Sequence, residues 1–576
     1  MSHRQHLFSL QVGYALREAL HEGYHRNELG RDLVAGMTVG VIAIPLAMAL
    51  AIASGVAPQY GLYTAIIAGV IIALTGGSRY SISGPTAAFV IILHPLAMSY
   101  GLGGLVLATF MSGIILLGMS YARLGRFIEY IPEPVTLGFT GGIAIVIAVQ
   151  QIPDFAGLAV DEMPELFVGK LLVIGTHLRQ LDLASTLIAA FTLLLMIVWP
   201  KFRTPIPAHL PALVLASILG VLLLGMDIHV ETIGSRFHYL LADGTQANGI
   251  PPYLPTLEWP WQRPGADGQP LGLSLSLIFE LLPSAFAIAM LGAIESLLCA
   301  VVLDGFSGKR HSANSELFAQ GLGNLIVPFF GGVTATAAIA RSATNFKAGA
   351  VSPIAGIIHA LVVLIGLLFL TRVLAYVPMP AMAGILMMTA WNMSDAPHTL
   401  SLIRKSQRGD VIVLLVCLSL TVFFDMVTAI TTGVLLASVL FMKESAALTR
   451  LVDITNNQSF TDKSLPERVK VFKIRGALFF AAGDRVISEL SQQLQDLDGL
   501  VLHMQYSSYL DAGGLAAIEK LQSYCERQNI TLRFSAWQFQ PLKTLAKARN
   551  ESTGPLDISF ATLDEAIDNV IELSSN

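Results

Sequence analysis

Long apolar runs separated by short polar stretches fill the chain between residues 33 and 442. Many of these runs have roughly 17 to 25 residues, the length that a helix needs to cross the hydrocarbon layer of a membrane. With the shorter runs that glycine or proline interrupts, about 14 spans are predicted. Two runs, 271–303 and 351–377, are too long for one crossing and are predicted to be double. The pattern therefore predicts a polytopic α-helical membrane protein.

After Met442 the pattern becomes that of a soluble α/β domain. Strands are predicted over residues 469–480, 499–505 and 530–536, and helices over 484–497 and 512–529 lie between them. About 100 residues suffice for an independent domain. The predicted organisation thus has four parts, which are a cytoplasmic segment 1–32, a transmembrane domain 33–443, a linker 444–468 and a C-terminal domain 469–576.

A pattern of tyrosine, two prolines and glycine occurs twice in the transmembrane domain. The segment 130–138, with the spacing Y-x-P-x-P-x-x-x-G, returns as segment 376–384. The pattern predicts seven spans between the copies, and an odd number makes the second copy face the opposite side of the membrane. Such an inverted repeat is typical of secondary transporters. The sequence therefore predicts seven plus seven spans.

Composition and charge narrow the class of protein. Hydrophobic residues make up 54% of the chain, charged residues 13%, and the mean hydropathy is +0.64, whereas soluble domains are about a quarter charged. The net charge of -5 gives no basic excess for a phosphate backbone, so no nucleic-acid partner is predicted. The three scattered cysteines predict neither a disulfide framework nor a metal site.

One short segment, 21–25, matches the H-E-x-x-H pattern of zinc proteases. It lies in a polar stretch before the first span, where no surrounding domain supplies a third ligand or a cleft. We therefore predict no zinc site and no cofactor, and we expect that the protein is not an enzyme.

Lysine and arginine positions predict the orientation of the spans, because cytoplasmic loops carry an excess of positive charge. The opposite loops are poor in lysine, most clearly loop 227–270. Both termini are therefore predicted to be cytoplasmic, in a multi-pass protein of the cell inner membrane. The positive residues lie before the first span and then at alternate loops, at Arg17, Arg26, Arg31, Arg79, Arg123, Arg126, Lys201, Arg203, Lys309, Arg310, Arg404, Lys405, Arg408 and Lys443.

Two predicted spans are broken by small residues. Segment 81–86 follows a Gly-Gly pair at 76–77, and segment 331–342 begins with another. A half-helix that starts inside the membrane presents free N–H groups and the positive end of its dipole, and two such ends form an anion site. Arg341 would add a charge and a fork of donors suited to carboxylate or sulfate. Its alternative role is an anchor that reaches the lipid headgroups.

Glu295 lies in the middle of the predicted span 281–303. A carboxylate at that depth costs a few kcal/mol, so it must be paired, protonated or exposed to water. Burial favours the neutral form, which suits a group that binds and releases a proton during transport. The alternative is a carboxylate held by hydrogen bonds to a neighbouring broken helix. His94 and His359 also lie in spans and receive no role, since lone histidines are more often packing residues.

Both parts of the chain resemble the SulP family of anion transporters, the bacterial branch of solute-carrier family 26. Segment 507–515 resembles the core of a STAS domain, with Ser508 in its loop and Asp511 before its helix. Segments 292–304 and 334–345 resemble the enterobacterial C4-dicarboxylate transporter of this family. The other stretches that carry the resemblance are 44–49 (IPLAMA), 61–63 (GLY), 83–86 (SGPT), 138–142 (GFTGG) and 324–332.

The resemblance implies a seven-plus-seven inverted repeat of the uracil-transporter type, in which a core domain moves against a gate domain. It also implies homodimers and a substrate site between the third and tenth spans. Glu295 is the predicted proton-coupling residue, and Ser508 and Asp511 are the predicted STAS-loop residues. The predicted substrate-binding residues are Ser83, Gly84, Thr86, Ala338, Ile339, Arg341 and Ser342.

The sequence departs from the family in two places. Sodium-coupled bicarbonate members carry Asp and Thr where Glu295 and Cys299 stand, and Thr where Ile339 stands. Oxygen ligands for a hard cation are thereby lost, which favours protons over sodium as the coupling ion. Ala512 follows Asp511 where STAS domains switched by phosphorylation have Ser or Thr, so that position cannot be phosphorylated.

We therefore expect a secondary active transporter that takes up a C4-dicarboxylate such as succinate, fumarate or aspartate with protons, by alternating access. Transport of sulfate or bicarbonate is the alternative within the same class. An anion channel and a membrane-tethered sensor that acts through the STAS domain are alternatives from other classes. The expected partners are a small anion, protons, membrane lipid, a second copy of the chain and a soluble cytoplasmic partner of the STAS domain.

Overall fold

The computed structural model of the chain describes residues 10–128, 130–160, 163–164, 166–202, 204, 206–240, 245–461, 463–548 and 555–574. These residues form two units, which divide between Val434 and Leu435. The first unit holds the apolar helices and the second holds an α/β sheet.

The membrane unit begins with a short helix, α1 (Tyr14–His21), and continues in two sets of helices joined by a small hairpin. The first set comprises α2 (Arg26–Ala53), α3 (Pro58–Thr75), the short strand β1 (Ser83–Gly84), α4 (Val90–Tyr121), α5 (Glu133–Gln150), α6 (Phe167–His177), α7 (Leu183–Val198) and α8 (His209–Leu224). The hairpin pairs β2 (His238–Leu240) with β3 (Gln246–Asn248). The second set comprises α9 (Leu275–Ser307), α10 (Ala313–Ile326), the short strand β4 (Thr336–Ala337), α11 (Ile339–Lys347), α12 (Ile354–Phe369), α13 (Met379–Ser394), α14 (Ala396–Lys405), α15 (Arg408–Phe423) and α16 (Met426–Leu448).

Among the described residues, seven helical stretches are long and apolar enough to cross a membrane unaided. They are 26–53, 58–75, 87–121, 133–156, 183–202, 275–307 and 426–448. The remaining predicted crossings correspond to shorter helices, of which α8 and α12 are strongly apolar. Another of them, α11, follows a broken span and has only 9 residues, about half of a membrane crossing.

A break between two helices lies within residues 87–121 and not at either place where the sequence predicted a double crossing. At Gly101 the backbone leaves helical geometry, with φ 65° and ψ -166°, a conformation that glycine adopts without steric cost. The two predicted double crossings are wrong, since α9 is one helix of 33 residues and α12 ends at Phe369. Apolar length alone does not show where a chain turns.

The inverted repeat is visible in the caps and contacts of its two copies. Pro132 precedes α5 with φ -65° and ψ 142°, and Pro378 precedes α13 with φ -68° and ψ 139°. Gly138 brings α5 against the backbone of α15, and Gly384 brings α13 against the backbone of α7. In an inverted repeat that pairs α5 with α13, α7 corresponds to α15. The contacts of α5 with α15 and of α13 with α7 are therefore equivalent, as the repeat requires.

The N-terminal helix α1 is bound to the turn between α3 and β1. Gly13 N–H donates to the Thr75 carbonyl oxygen at 2.8 Å. The Arg79 guanidinium lies 2.7 Å from the Glu22 carboxylate, which also contacts Lys309 Nζ at 2.8 Å. Glu22 of the H-E-x-x-H pattern is therefore engaged in ion pairs. The two histidines of that pattern lie on different elements, because α1 ends at His21 and α2 begins after its N-cap, His25.

We expect these ion pairs to make the docking of α1 depend on pH and salt. Hydrogen bonds from Arg79 and Lys309 lower the pKa of Glu22 from 4.5 to about 2. The folded pKa is depressed, so the contribution of the carboxylate is present above about pH 4.5 and is lost as the pH falls towards 2. Because Glu22 is largely exposed, Glu22→Gln should speed limited proteolysis before residue 25 by about fivefold or less at neutral pH. A rate that responds to neither the substitution nor added salt would contradict this account.

The second unit is built on a five-stranded sheet in the order β5-β6-β7-β8-β9. β5 is antiparallel to β6, and the other neighbours are parallel. Apolar side chains from the strands and from two flanking helix layers form its core. The elements are β5 (Arg450–Asp453), β6 (Val469–Arg475), α17 (Phe480–Ser491), β7 (Gly499–His503), α18 (Ala512–Arg527), β8 (Thr531–Ser535), α19 (Phe539–Ala548), β9 (Ser559–Phe560) and α20 (Leu563–Ser574).

The predicted linker 444–468 contains more structure than its polar composition indicates. α16 continues to Leu448, and β5 pairs residue by residue with the other edge of β6. Ile454, which follows β5, is 2% exposed and packs in one core cluster with Val469 and Val501. The strand is too short for a period-two pattern to be visible in the sequence, and only the pairing with β6 defines it.

We expect a fragment that starts at residue 450 to fold more stably than the fragment 469–576. The longer fragment keeps the β5 edge strand and the buried side chain of Ile454. Burying one such side chain contributes about 2 kcal/mol, so urea unfolding should show a free energy larger by about that amount. The control is the longer fragment with Ile454→Ala, which should lose most of the gain. Equal stability of the two fragments would show that β5 does not belong to the folded unit.

Candidate functional site

The two predicted broken spans meet in the structure. β1 pairs antiparallel with β4, with Ser83 opposite Ala337 and Gly84 opposite Thr336. Outside the strands, Ala338 N–H donates to the carbonyl oxygen of residue 82 at 3.1 Å. The backbone N–H of residue 82 donates to Ser342 Oγ at 2.9 Å. Backbone groups that no helix satisfies in the membrane are thus satisfied by the other broken span.

A helix starts directly after each of these strands. Thr86 is the N-cap of the helical stretch from residue 87, and Ala338 is the N-cap of α11. The first N–H groups of a helix have no partner inside the helix, and the helix dipole makes that end positive. Ala338 is partly exposed and Ile339 is 41% exposed, so the start of α11 is accessible. The two positive ends therefore lie beside one another, with the start of α11 exposed and Thr86 and the first residues after it buried.

Polar side chains hold the unwound segment that leads to β4. Asn324 binds residue 335 as a neighbouring strand would, because its Oδ1 accepts from the N–H at 2.8 Å and its Nδ2 donates to the carbonyl at 2.9 Å. Thr64 Oγ1 accepts from Val333 N–H at 2.7 Å. Thr336 Oγ1 donates to the Gly292 carbonyl of α9 at 3.0 Å. The break is therefore a fixed part of the structure.

Arg341 lies in the first turn of α11 and is 3% exposed. Its Nη2 donates to the Pro85 carbonyl at 2.7 Å, so the guanidinium reaches across to the first broken span. A Cβ on Gly84 would lie only 2.9 Å from Arg341 Nη1, so a larger residue there would shift the guanidinium. Nε and Nη1 are buried and form no hydrogen bond to the described residues. This buried position is not that of a side chain that reaches the headgroups.

Glu295 lies on α9, opposite the start of the first half-helix. Its Oε2 accepts a hydrogen bond from Thr86 Oγ1 at 2.9 Å, and the side chain is partly buried. Arg341 interacts with it electrostatically. The hydrogen bond to a broken helix, which the alternative interpretation of Glu295 requires, is present. It is compatible with a proton carrier as well, because a protonated carboxyl still accepts through one oxygen.

Sequence reasoning missed a second membrane carboxylate, Glu316 on α10, which is 1% exposed. Its Oε2 accepts from the N–H groups of Gly77 and Ser78, both at 3.0 Å. Its Oε1 accepts from Ser296 Oγ at 2.9 Å and from Gln320 Nε2 at 3.1 Å. The buried carboxylate is therefore well compensated by donors, as a stable buried charge requires.

The network around Glu316 continues to the predicted site, since Gln320 Nε2 also lies 3.2 Å from Ser83 Oγ. Ser296 on the same network is the neighbour of Glu295 in the chain. A signal for this network existed in the sequence, because Glu316, Gln320 and Asn324 are spaced by four and share one face of a helix. A polar stripe on a membrane helix marks buried polar contacts.

In the second unit, the STAS-loop residues precede α18. Asp511 Oδ1 accepts from Gly514 N–H at 2.8 Å and caps α18. Asp511 Oδ2 accepts from Phe480 N–H at 3.2 Å, so the same carboxylate also holds the start of α17. Ser508 is exposed in the loop. Asp511 therefore has a structural role that its sequence context predicts, whereas Ser508 is an exposed loop residue.

Comparison with known proteins identifies the class of this architecture. Residues 29–452 match the model of the sulfate permease family, and residues 462–566 match the STAS domain. The chain belongs to the sulfate permease family. As a family member it is an anion transporter, and the expectation that it is not an enzyme is confirmed.

Two of the matching proteins cover nearly the whole chain, and a third covers 70% of it. YvdB of Bacillus subtilis (strain 168), named provisionally as a sulfate transporter, is 38% identical over 527 residues, which are 91% of this chain and 95% of that protein. The murine solute carrier 26 member A9 anion transporter in the inward-facing state has a TM-score of 0.83 at 17% identity, over 97% of this chain and 94% of that one. The transmembrane domain of a cyanobacterial bicarbonate transporter, BicA, has a TM-score of 0.60 at 28% identity, over 70% of this chain and 98% of that one. The predicted fold class is thereby confirmed.

Proposed function

We propose that this family member is a secondary active transporter that takes up a small dianion together with protons. We propose further that C4-dicarboxylates are its preferred substrates. The proposal depends on one observation. Four groups lie together, namely the starts of the two half-helices, the Arg341 guanidinium and the Glu295 carboxyl. Anion-binding groups beside a group able to take up a proton are what proton-coupled anion transport needs.

The proposed substrate-binding residues have different tasks. N–H groups after Thr86 and Ala338 bind the anion, while Ile339 forms an apolar wall of the accessible side. Ser83, Gly84 and Ser342 hold the two half-helices in register. Arg341 supplies a positive charge behind the half-helices. In this arrangement the anion binds mainly to fixed backbone groups, which suits substrates with two carboxylates or a tetrahedral oxyanion.

Glu295 is the proposed proton-coupling residue. An ionised Glu295 repels an incoming anion, whereas a neutral one does not, so binding of the anion and of the proton favour one another. Cys299, on the same helix, is 0% exposed and offers no oxygen ligand, which supports protons over sodium. Alternating access then carries both ligands inward across the cell inner membrane, with both termini in the cytoplasm.

Sulfate is the second candidate substrate, because the names of several relatives, YvdB among them, refer to sulfate transport. Sulfate is a dianion as well, so the same charge argument holds for it. The BicA relatives are named bicarbonate transporters. Bicarbonate is a monoanion, so the charge argument is weaker for it, and it is the third candidate substrate.

Counterflow in proteoliposomes tests the proposal. Vesicles loaded with unlabelled fumarate, sulfate or bicarbonate receive a trace of the same radiolabelled anion, and fumarate should exchange fastest. Faster exchange of sulfate than of fumarate would make sulfate, and not a C4-dicarboxylate, the preferred substrate. Electrical currents far above transporter turnover, without dependence on a proton gradient, would show a channel. No flux of any of the three anions would favour a membrane-tethered sensor.

The proposal extends to assembly and regulation on the strength of family membership. The transporter acts as a homodimer in the lipid bilayer, and the exposed loop with Ser508 is the binding point of a soluble cytoplasmic partner. Ser508→Trp, which adds bulk at this exposed position, should leave counterflow intact and reduce capture of that partner.

A further inference from the structure

A second titratable group lies behind the proposed site, and the proposed function gives it no task. His359 on α12 is 0% exposed. Neither of its ring nitrogens forms a hydrogen bond to the described residues. The Gly356 carbonyl, one turn earlier, interacts with the ring without reaching hydrogen-bond geometry. A buried imidazole without partners is costly, since each unsatisfied polar group loses its hydration.

The imidazole and the Arg341 guanidinium both lie near β1. A Cβ on Gly69 of α3 would lie 3.8 Å from His359 Nδ1 and 3.6 Å from the Ser83 carbonyl oxygen. A Cβ on Gly84 would lie 2.9 Å from Arg341 Nη1. His359 and Arg341 also interact electrostatically. Two buried, nitrogen-containing side chains therefore lie near β1, close to the proposed site.

The elements packed against α12 bring few other charges to this place. On α2, Asp32 accepts from the N–H groups of Val351 and Ser352 at 2.7 and 3.2 Å, before α12 begins, and is satisfied there. Arg31 donates to the Gly349 carbonyl, outside the helix as well. On α3 the titratable groups are Tyr60 and Tyr63, near the other end of the span. The electrostatic partner of His359 among charged side chains is therefore Arg341.

The charges of a bound dianion and of the residues around it indicate a role for His359. This argument rests on the proposed function. With Glu295 neutral and a dianion bound, Arg341 balances one of the two negative charges. The second charge is left in a buried region where an unbalanced charge is strongly unfavourable. A proton on His359 would balance it. In the empty site the same proton would face Arg341 without an anion and would be unfavourable.

We propose that His359 takes up a second proton when a dianion occupies the site and releases it when the dianion leaves. The imidazole is then a positioning and charge-balancing residue behind the half-helices, without direct contact to the substrate. The stoichiometry becomes two protons for each dianion, one on Glu295 and one on His359. A monoanion needs only one.

The test measures anion binding to the purified full-length protein at pH 5.5, 6.5, 7.5 and 8.5, with fumarate and sulfate as the probes. Proton uptake is obtained by calorimetry in buffers of different ionisation enthalpy. The parent should bind both dianions more tightly as the pH falls. His359→Gln should match the parent within about threefold at pH 8.5, bind about tenfold more weakly at pH 5.5, and take up roughly one proton fewer per dianion. His209→Gln, on α8, is the matched control and should behave as the parent.

Glu295→Gln separates this proposal from the proposed function. If Glu295→Gln alone removes all pH dependence, or if His359→Gln keeps the parent's pH dependence, His359 takes up no coupled proton while the transport proposal stands. If the parent binds neither dianion at any pH, both proposals fail.

His359→Asn is a second variant in case the first does not fold. If neither variant folds, nuclear magnetic resonance of ring-labelled histidine in the parent decides the question. One imidazole should become imidazolium on addition of fumarate at pH 6.5, and a spectrum without that change would overturn the proposal.

Discussion

Glu295→Gln should abolish accumulation of the substrate on a pH gradient while exchange of bound anions continues. A glutamine side chain still accepts the hydrogen bond from Thr86 Oγ1, yet it neither gains nor loses a proton. A gradient of about one pH unit supports up to about tenfold accumulation per coupled proton. The variant should therefore approach equal concentrations inside and outside, as measured by radiolabelled uptake into proteoliposomes.

The matched control is Thr86→Val, which removes the hydroxyl that binds Glu295 and keeps the carboxyl. It should weaken transport but leave accumulation dependent on the pH gradient. Replacement of sodium by choline should change neither protein. Accumulation driven by sodium alone, or a Glu295→Gln variant that still concentrates substrate on a pH gradient, would remove Glu295 from its proposed role.

Arg341→Ala should weaken binding of fumarate or sulfate by about 10- to 150-fold. A hydrogen bond or ion pair to a charged group contributes about 1.5 to 3 kcal/mol, and each 1.4 kcal/mol is a factor of ten in affinity. Arg341 is 3% exposed, and two of its guanidinium nitrogens form no hydrogen bond to the described residues, so water screens its charge only weakly. Equilibrium binding to the purified protein measures the loss.

Arg341→Lys distinguishes charge from support of the broken helix. Lysine keeps the charge and loses the planar fork, so it should recover part of the affinity if charge dominates. Thermal unfolding of both variants shows whether loss of the bond to the Pro85 carbonyl alters the fold. An Arg341→Ala protein that folds as the parent does and binds with parental affinity would remove Arg341 from the site.

The sequence by itself determined the class of the fold, because the signals concerned are local. Membrane spans need long apolar runs, since no water satisfies the backbone inside the bilayer. The proline and glycine spacing of segments 130–138 and 376–384 predicted the repeat, and the structure gives Pro132 and Pro378 the same cap geometry. The small residues at 81–86 and 331–342 likewise predicted the two breaks that β1 and β4 form.

Only the tertiary structure decided which groups face one another. The turn at Gly101 depends on a backbone conformation that apolar length does not reveal. β5 exists because β6 offers it an edge. Glu316 has donors from Gly77, Ser78 and Ser296, which lie on other elements, and His359 comes near β1 through the packing of α12 against α3. Such contacts join residues far apart in sequence, and their energies depend on burial and distance, which a linear pattern does not contain.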